Sequence, residues 1–213
     1  MRRPRRQILR AATAVVVGLA AVAVAVLLPD QPRYLVLQLA LAGAGWLGLL
    51  IGTLTFLWAR AACAAERALL QGREVIGRWH IDPDLWQQFV ALNRSFSSNQ
   101  IAVPSRIPAR GLRVIVSPTA LLVGDQVELF NRTAVVDGRV RHWGGDWTVT
   151  QASLGGDHPC CLYLYAGIRG DGGAPSCNNL IVPVPTTALP EAIRVRDHFL
   201  ACIQLQSDAS QRP

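Results

Sequence analysis

Two long apolar runs dominate the start of the chain. Residues 11–28 contain one hydroxyl side chain, Thr13, and residues 35–59 are interrupted only by Gln38, Thr53 and Thr55. As helices they span about 27 and 37 Å, against a hydrocarbon thickness of about 30 Å. A bilayer offers exposed backbone no hydrogen bonds, so continuous helix is expected even through the valine-rich first run. Pro29-Asp30-Gln31-Pro32-Arg33 separates the runs and predicts a turn, which makes the pair an antiparallel transmembrane hairpin. Neither run contains an ionisable side chain, which leaves a transport path or proton relay nothing to use.

After residue 59 the pattern shortens. Residues 60–72 stay helical in character and end near Gly72, and Gly77 to Ile81 reads as extended. Asp82-Pro83-Asp84 then opens a helix, with Asp82 as cap, Pro83 at the first helical position and Asp84 at the positive end. Leu85, Phe89, Leu92 and Phe96 form its apolar stripe, widened by Trp86 and Val90. That stripe is expected to pack on the following domain; lying in the membrane interface is the alternative. Beyond residue 99, short apolar pieces are divided by Gly, Pro and Asp. Strands are predicted at 112–116, 120–123, 127–130, 134–141, 147–154, 160–166 and 180–184, with Gly124-Asp125 as a hairpin reversal. The close spacing excludes a doubly wound parallel sheet and favours a mostly antiparallel barrel or sandwich. Leu189-Pro190-Glu191 starts a terminal helix with Ala192, Val195, Phe199, Cys202, Ile203 and Gln206 along one side. The fold class is therefore α+β. The chain divides into a basic start (1–10), a hairpin (11–59), a membrane-proximal helical linker with an amphipathic helix (60–99) and a β domain with a C-terminal helix (100–213).

Charge changes the picture by its placement. Of the 213 residues, 21 are basic, all of them Arg, giving a formal charge of +7. Ten arginines and three acids precede Trp79, whereas eleven of each follow it. The folded part thus lacks the positive footprint of a nucleic-acid-binding domain. Arg2, Arg3, Arg5, Arg6 and Arg10 flank the first run and Arg60, Arg67, Arg73 and Arg78 follow the second, while the turn holds only Arg33, offset by Asp30. Arginine near a membrane is retained on the cytoplasmic side, so both termini are expected there. A competing reading takes Arg5-Arg6-Gln7-Ile8-Leu9-Arg10 as a twin-arginine export signal, cleaved after small residues such as Ala25. Tyr34 and Trp58 stand near the ends of the second run, as interface anchors or as packed aromatics.

The order of strands and a closing helix resembles the pleckstrin-homology-like fold. The pieces that carry the likeness are Gly77-Arg78-Trp79 with Asp82-Pro83-Asp84-Leu85-Trp86-Gln87-Gln88-Phe89, then Val114-Ile115-Val116-Ser117-Pro118-Thr119-Ala120-Leu121-Leu122-Val123-Gly124, and finally Ile181-Val182-Pro183-Val184-Pro185. The layout is also similar to uncharacterised bacterial two-span membrane proteins. The resemblance implies a bacterial cytoplasmic (inner) membrane location and a phosphoinositide-, peptide- or protein-binding role, and it supplies no catalytic residues. The Lys/Arg-rich loop expected of a phosphoinositide binder is missing between the early strands.

Candidate chemistry is sparse. Ala40, Ala44, Gly48 and Gly52 recur every fourth residue on the second span, a groove for the first helix or for a second copy of the chain or a partner protein. His158-Pro159-Cys160-Cys161, Cys177, and His198 with Cys202 one turn later supply thiolate and imidazole groups that suit zinc. Adjacent cysteines in a strand point to opposite faces, however, and no separated Cys-x-x-Cys pair exists. Arg139 and Arg141 with Trp143 and Trp147 form a candidate protein-binding patch beside Gly144-Gly145. No phosphate loop, nucleophile elbow, triad or carboxylate pair is present. The sequence therefore reads as a membrane-anchored, non-catalytic interaction or assembly module. Its expected partners are the lipid bilayer, an unknown protein and a second copy of the chain, with no nucleic acid and no cofactor. A small metal- or thiol-dependent enzyme built on His158, Cys160, Cys161 and His198 is the first alternative, and lipid-headgroup binding is the second.

Overall fold

The computed structural model describes residues 4–29, 31–93, 109–130, 133–136, 139–142, 148–156, 159–167 and 177–210. It divides into two compact units, Arg2–Ala64 and Ala65–Pro213. The first contains α1 (Pro4–Leu27) and most of α2 (Leu35–Leu70), joined through a 3-10 turn at Pro32–Tyr34. Both helices are long and apolar enough to cross a membrane. The Gln38 side-chain amide donates to the Leu28 carbonyl at 3.1 Å and so closes the end of α1, where helix geometry leaves carbonyls without partners.

The second unit is α+β. β1 (Gly77–Ile81), β2 (Leu112–Val116), β3 (Ala120–Val123) and β4 (Gln126–Leu129) form an antiparallel meander, with α3 (Pro83–Asn93) between β1 and β2. β5 (Thr133–Val136) and β6 (Arg139–His142) make a separate hairpin. A second meander follows, formed by β7 (Thr148–Gly155), β8 (Cys161–Gly167) and β9 (Cys177–Pro183), before α4 (Leu189–Ser210) ends the fold. Among the described residues the two meanders are separate ladders, so no closed barrel forms. The stretch 134–141, expected as one strand, is divided between β5 and β6, and Val136 stands opposite Arg139. Only Asp137 and Gly138 lie between those two partners, a dipeptide that favours a two-residue reversal over a continued strand.

Local chemistry accounts for several boundaries. Asp82 accepts from the Leu85 backbone N–H at 3.2 Å, capping α3 immediately before Pro83. Gly124 adopts φ +63° in the two-residue β3–β4 loop, a conformation that strains residues bearing a Cβ. The buried Ser117 hydroxyl accepts from the N–H groups of Thr119 and Ala120, so the β2–β3 turn carries its own side-chain partner.

One core joins both meanders and both helices. Trp79 and Ile81 of β1, Trp86 and Phe89 of α3, Val114 of β2, Leu121 of β3, Leu162 and Leu164 of β8, Val182 of β9, and Val195 and Phe199 of α4 all belong to it. Along the first meander, Val114 pairs with Val123 on the core side, while Ile115, Leu122 and Val127 line up on the opposite face and are equally buried. Burial on both faces explains why 114–116 and 120–123 read as continuous apolar runs instead of alternating ones. The Trp79 indole N–H donates to the Pro183 carbonyl at 3.1 Å, tying β1 to the end of β9. The Arg78 backbone N–H donates to the Glu191 carboxylate at 2.8 Å in the first turn of α4. At Gly77 a Cβ would stand 2.5 Å from a Val195 methyl, so the approach of α4 to β1 requires glycine there.

Gly77→Ala is expected to destabilise the second unit by about 1–3 kcal/mol through overpacking. Denaturant unfolding of the single variants Gly77→Ala and Val195→Ala and of the double variant checks this. The double is expected to be less destabilised than the two singles added together, because both act on one contact.

Candidate functional site

The most distinctive construction in the structure is the seam of the hairpin. Helices running in opposite directions meet when small residues recur on the facing side, because only hydrogen or methyl side chains let two backbones touch. Ala11, Gly18 and Ala25 are buried on α1, and Gly45, Gly52 and Ala59 are buried on α2, in both cases at intervals of seven. The approach is tightest at the glycines. A Cβ on Gly18 would lie 2.8 Å from the Gly45 carbonyl oxygen, and one on Gly52 would lie 2.8 Å from a Val15 methyl and 3.2 Å from the Ala11 carbonyl oxygen. A Cβ on Gly45 would lie 2.6 Å from a Val22 methyl.

Of the four residues at four-residue spacing, Gly52 is buried in this seam. Gly48 is half-buried, its Cβ direction 3.6 Å from the Gly18 Cα. Ala40 and Ala44 are exposed. The large side chains point the other way: Val16 and Val26 on α1 and Val36, Leu39, Trp46 and Leu50 on α2 are 60–77 % exposed. This pair is inside-out relative to a water-soluble coiled coil, whose core positions hold the large apolar groups.

The sulfur and imidazole groups are dispersed. Cys161 is buried in the core and its thiol contacts the Pro159 carbonyl at 3.5 Å, whereas Cys160 is half-buried. Burial, with the neighbouring Cys160 adding to it, pushes the Cys161 thiol from 9.0 up to about 12. That shift is opposite in direction to the activation a nucleophilic thiolate needs. Cys177 pairs with Gly167 and Cys161 with Pro183, so these two cysteines belong to opposite ends of the β8–β9 ladder. At strand spacing they are separated by about 20 Å. His158 lies outside the described residues. His198 and Cys202 do meet, with Nε2 3.7 Å from Sγ one turn apart on α4. Among the described residues no three His, Cys, Asp or Glu side chains converge in a way that could hold a metal ion.

Arg139 and Arg141 belong to β6, where they pair with Val136 and Ala134 of β5. Trp143 and Trp147 lie outside the described residues. The α3 stripe packs into the domain core through Trp86 and Phe89, whose rings are 5.2 Å apart. The sequence alone does not single out the seven-residue recurrence at 45, 52 and 59 or the contact of Gln38 with Leu28. Both become visible only once α2 is placed in register with α1.

No protein-family model, curated protein or solved structure matches this chain.

Gly45→Leu is expected to open the hairpin, whereas Ala44→Leu on the exposed side is expected to leave it closed. Oxidative crosslinking of Leu28→Cys to Gln38→Cys, near the turn, reports the difference as a several-fold loss in the first background alone. For the thiols, maleimide is expected to label Cys160 and to spare Cys161 until the chain unfolds. Because the Cys161 pKa is raised in the folded state, its contribution to stability is full below pH 9. It is lost as the pH rises from 9 towards about 12. Tyr163, raised mainly by burial, acts in the same direction. Cys161→Ala is therefore expected to flatten part of the alkaline limb of a stability-versus-pH curve and to leave its slope near neutrality unchanged.

Proposed function

We propose that the chain is a membrane-anchored, non-catalytic module that presents its β unit to a protein partner at the cytoplasmic side of a bacterial inner membrane. The observation that carries the reading is the inside-out burial of the hairpin, with glycine and alanine within and valine, leucine and isoleucine outward. Water penalises such an arrangement, since each large apolar side chain left exposed forfeits about 1.5–3 kcal/mol of burial. Lipid tails remove that penalty, and close backbone packing then holds the pair together.

Orientation rests on the arginines flanking the two runs, which put both termini inside. A four-stranded meander, a three-stranded meander and a closing helix, in that order, support a pleckstrin-homology-like type for the second unit. A binding role is favoured over thiol chemistry by the raised Cys161 pKa and by the wide separation of Cys161 and Cys177. Anchoring raises the local concentration of the module around other membrane proteins, which lets modest contacts suffice.

Two measurements on the full chain test this in cells. A proximity-labelling enzyme fused to the carboxyl terminus is expected to mark cytoplasmic and inner-membrane proteins, with one or a few strongly enriched; labelling confined to the periplasm overturns the orientation. Alkaline carbonate is expected to leave the chain in the membrane pellet, and its release overturns the anchor.

A further inference from the structure

We propose that Arg6, Arg10 and Arg60 form a collar that binds the phosphates of anionic phospholipids at the open end of the hairpin. The inference rests on the membrane-spanning reading of α1 and α2 and adds a ligand class to it. The seam sets the levels: Gly45 meets Gly18 and Val22, and Gly52 meets Ala11 and Val15. Continued by one to two turns, that antiparallel register brings Arg6 level with the region of Ala59 and Arg60. Arg10 lies about 6 Å nearer the bilayer centre, four residues further along α1. All three arginines are exposed. The Arg60 guanidinium lies 5.9 Å from the Phe56 ring centroid. At the closed end, Arg33 is the single cation among the described residues, stacked 4.7 Å over Tyr34.

The surroundings select the ligand. Leu9, Leu54 and Leu57 are 57–71 % exposed at the same levels as the arginines, so the surface offers guanidinium and hydrocarbon contact side by side. A free phosphate or an acidic protein surface engages only the guanidinium groups. A phospholipid satisfies both, its phosphate accepting paired guanidinium N–H bonds while its acyl chains cover the leucines. Arg10, the deeper of the two on α1, reaches the phosphate level by extending its side chain along the helix.

The test uses the full chain purified in detergent and reconstituted into nanodiscs of phosphatidylcholine with and without phosphatidylglycerol. Lipid retained on release is read by native mass spectrometry. The wild type is expected to keep phosphatidylglycerol in preference to phosphatidylcholine. The triple variant R6Q/R10Q/R60Q is expected to lose this preference roughly a hundredfold, about fivefold per guanidinium, while Arg33→Gln changes it fivefold at most. Equal retention of the two lipids by the wild type, or an unchanged preference in the triple variant, overturns the collar. Carbonate extraction of the same chains separates the two failures. A chain that resists extraction but shows no lipid preference refutes the collar alone, whereas a wild type that washes out refutes the anchor on which it rests.

Discussion

The contact on which the first unit depends is backbone against backbone. At Gly18, Gly45 and Gly52 the two helices approach so closely that a single methyl group would overlap a carbonyl oxygen or a valine methyl. Such contact gains dispersion energy from many atoms at once, and it is the main source of helix association where no water is released. It also fixes the register, and with it the levels at which arginines, leucines and aromatic rings occur along the pair. The large side chains, displaced from the seam, become an exposed apolar surface along both helices.

The second unit follows the opposite rule. Its large apolar groups converge: Trp79, Trp86, Phe89, Phe130 and Phe199 all contribute to one core, and Phe130 meets Phe199 edge-to-face at 5.6 Å between ring centroids. β1 is the element that links the parts, through the Trp79 bond to Pro183, the Arg78 backbone bond to Glu191 and the close contact of Gly77 with Val195. Residues 77–81 are thus a structural member of this unit, although in sequence they stand within the membrane-proximal stretch before the main run of strands.

Much of this was legible because single residues dictate local geometry. Asp82-Pro83 announces a helix start, Gly124-Asp125 a tight reversal, and two runs of 18 or more apolar residues a pair of long apolar helices. The rest depended on partners distant in sequence. α2 contains small residues both at fourfold spacing (40, 44, 48, 52) and at sevenfold spacing (45, 52, 59), and only the facing helix decides which positions close. β9 begins at Cys177, earlier than the apolar signal at Leu180, because pairing with β8 overrides the low strand preference of Asn178 and Asn179. The candidate site was legible mainly as residue types. Adjacent cysteines announce opposite faces, but the distance between Cys161 and Cys177 is a property of the β8–β9 register.

An inside-out hairpin of this kind needs lipid around it if it is to serve as the proposed anchor. Spin labels placed singly along α1 and α2 of the full chain in liposomes, with collision rates measured against oxygen and a water-soluble nickel chelate, test it most directly. Labels at Val16, Leu39 and Leu50 are expected to be reached by oxygen and shielded from nickel, while labels at Ala14 and Gly48 are shielded from both. Nickel accessibility along the outward positions equal to that at Asp125 in the second unit would contradict it.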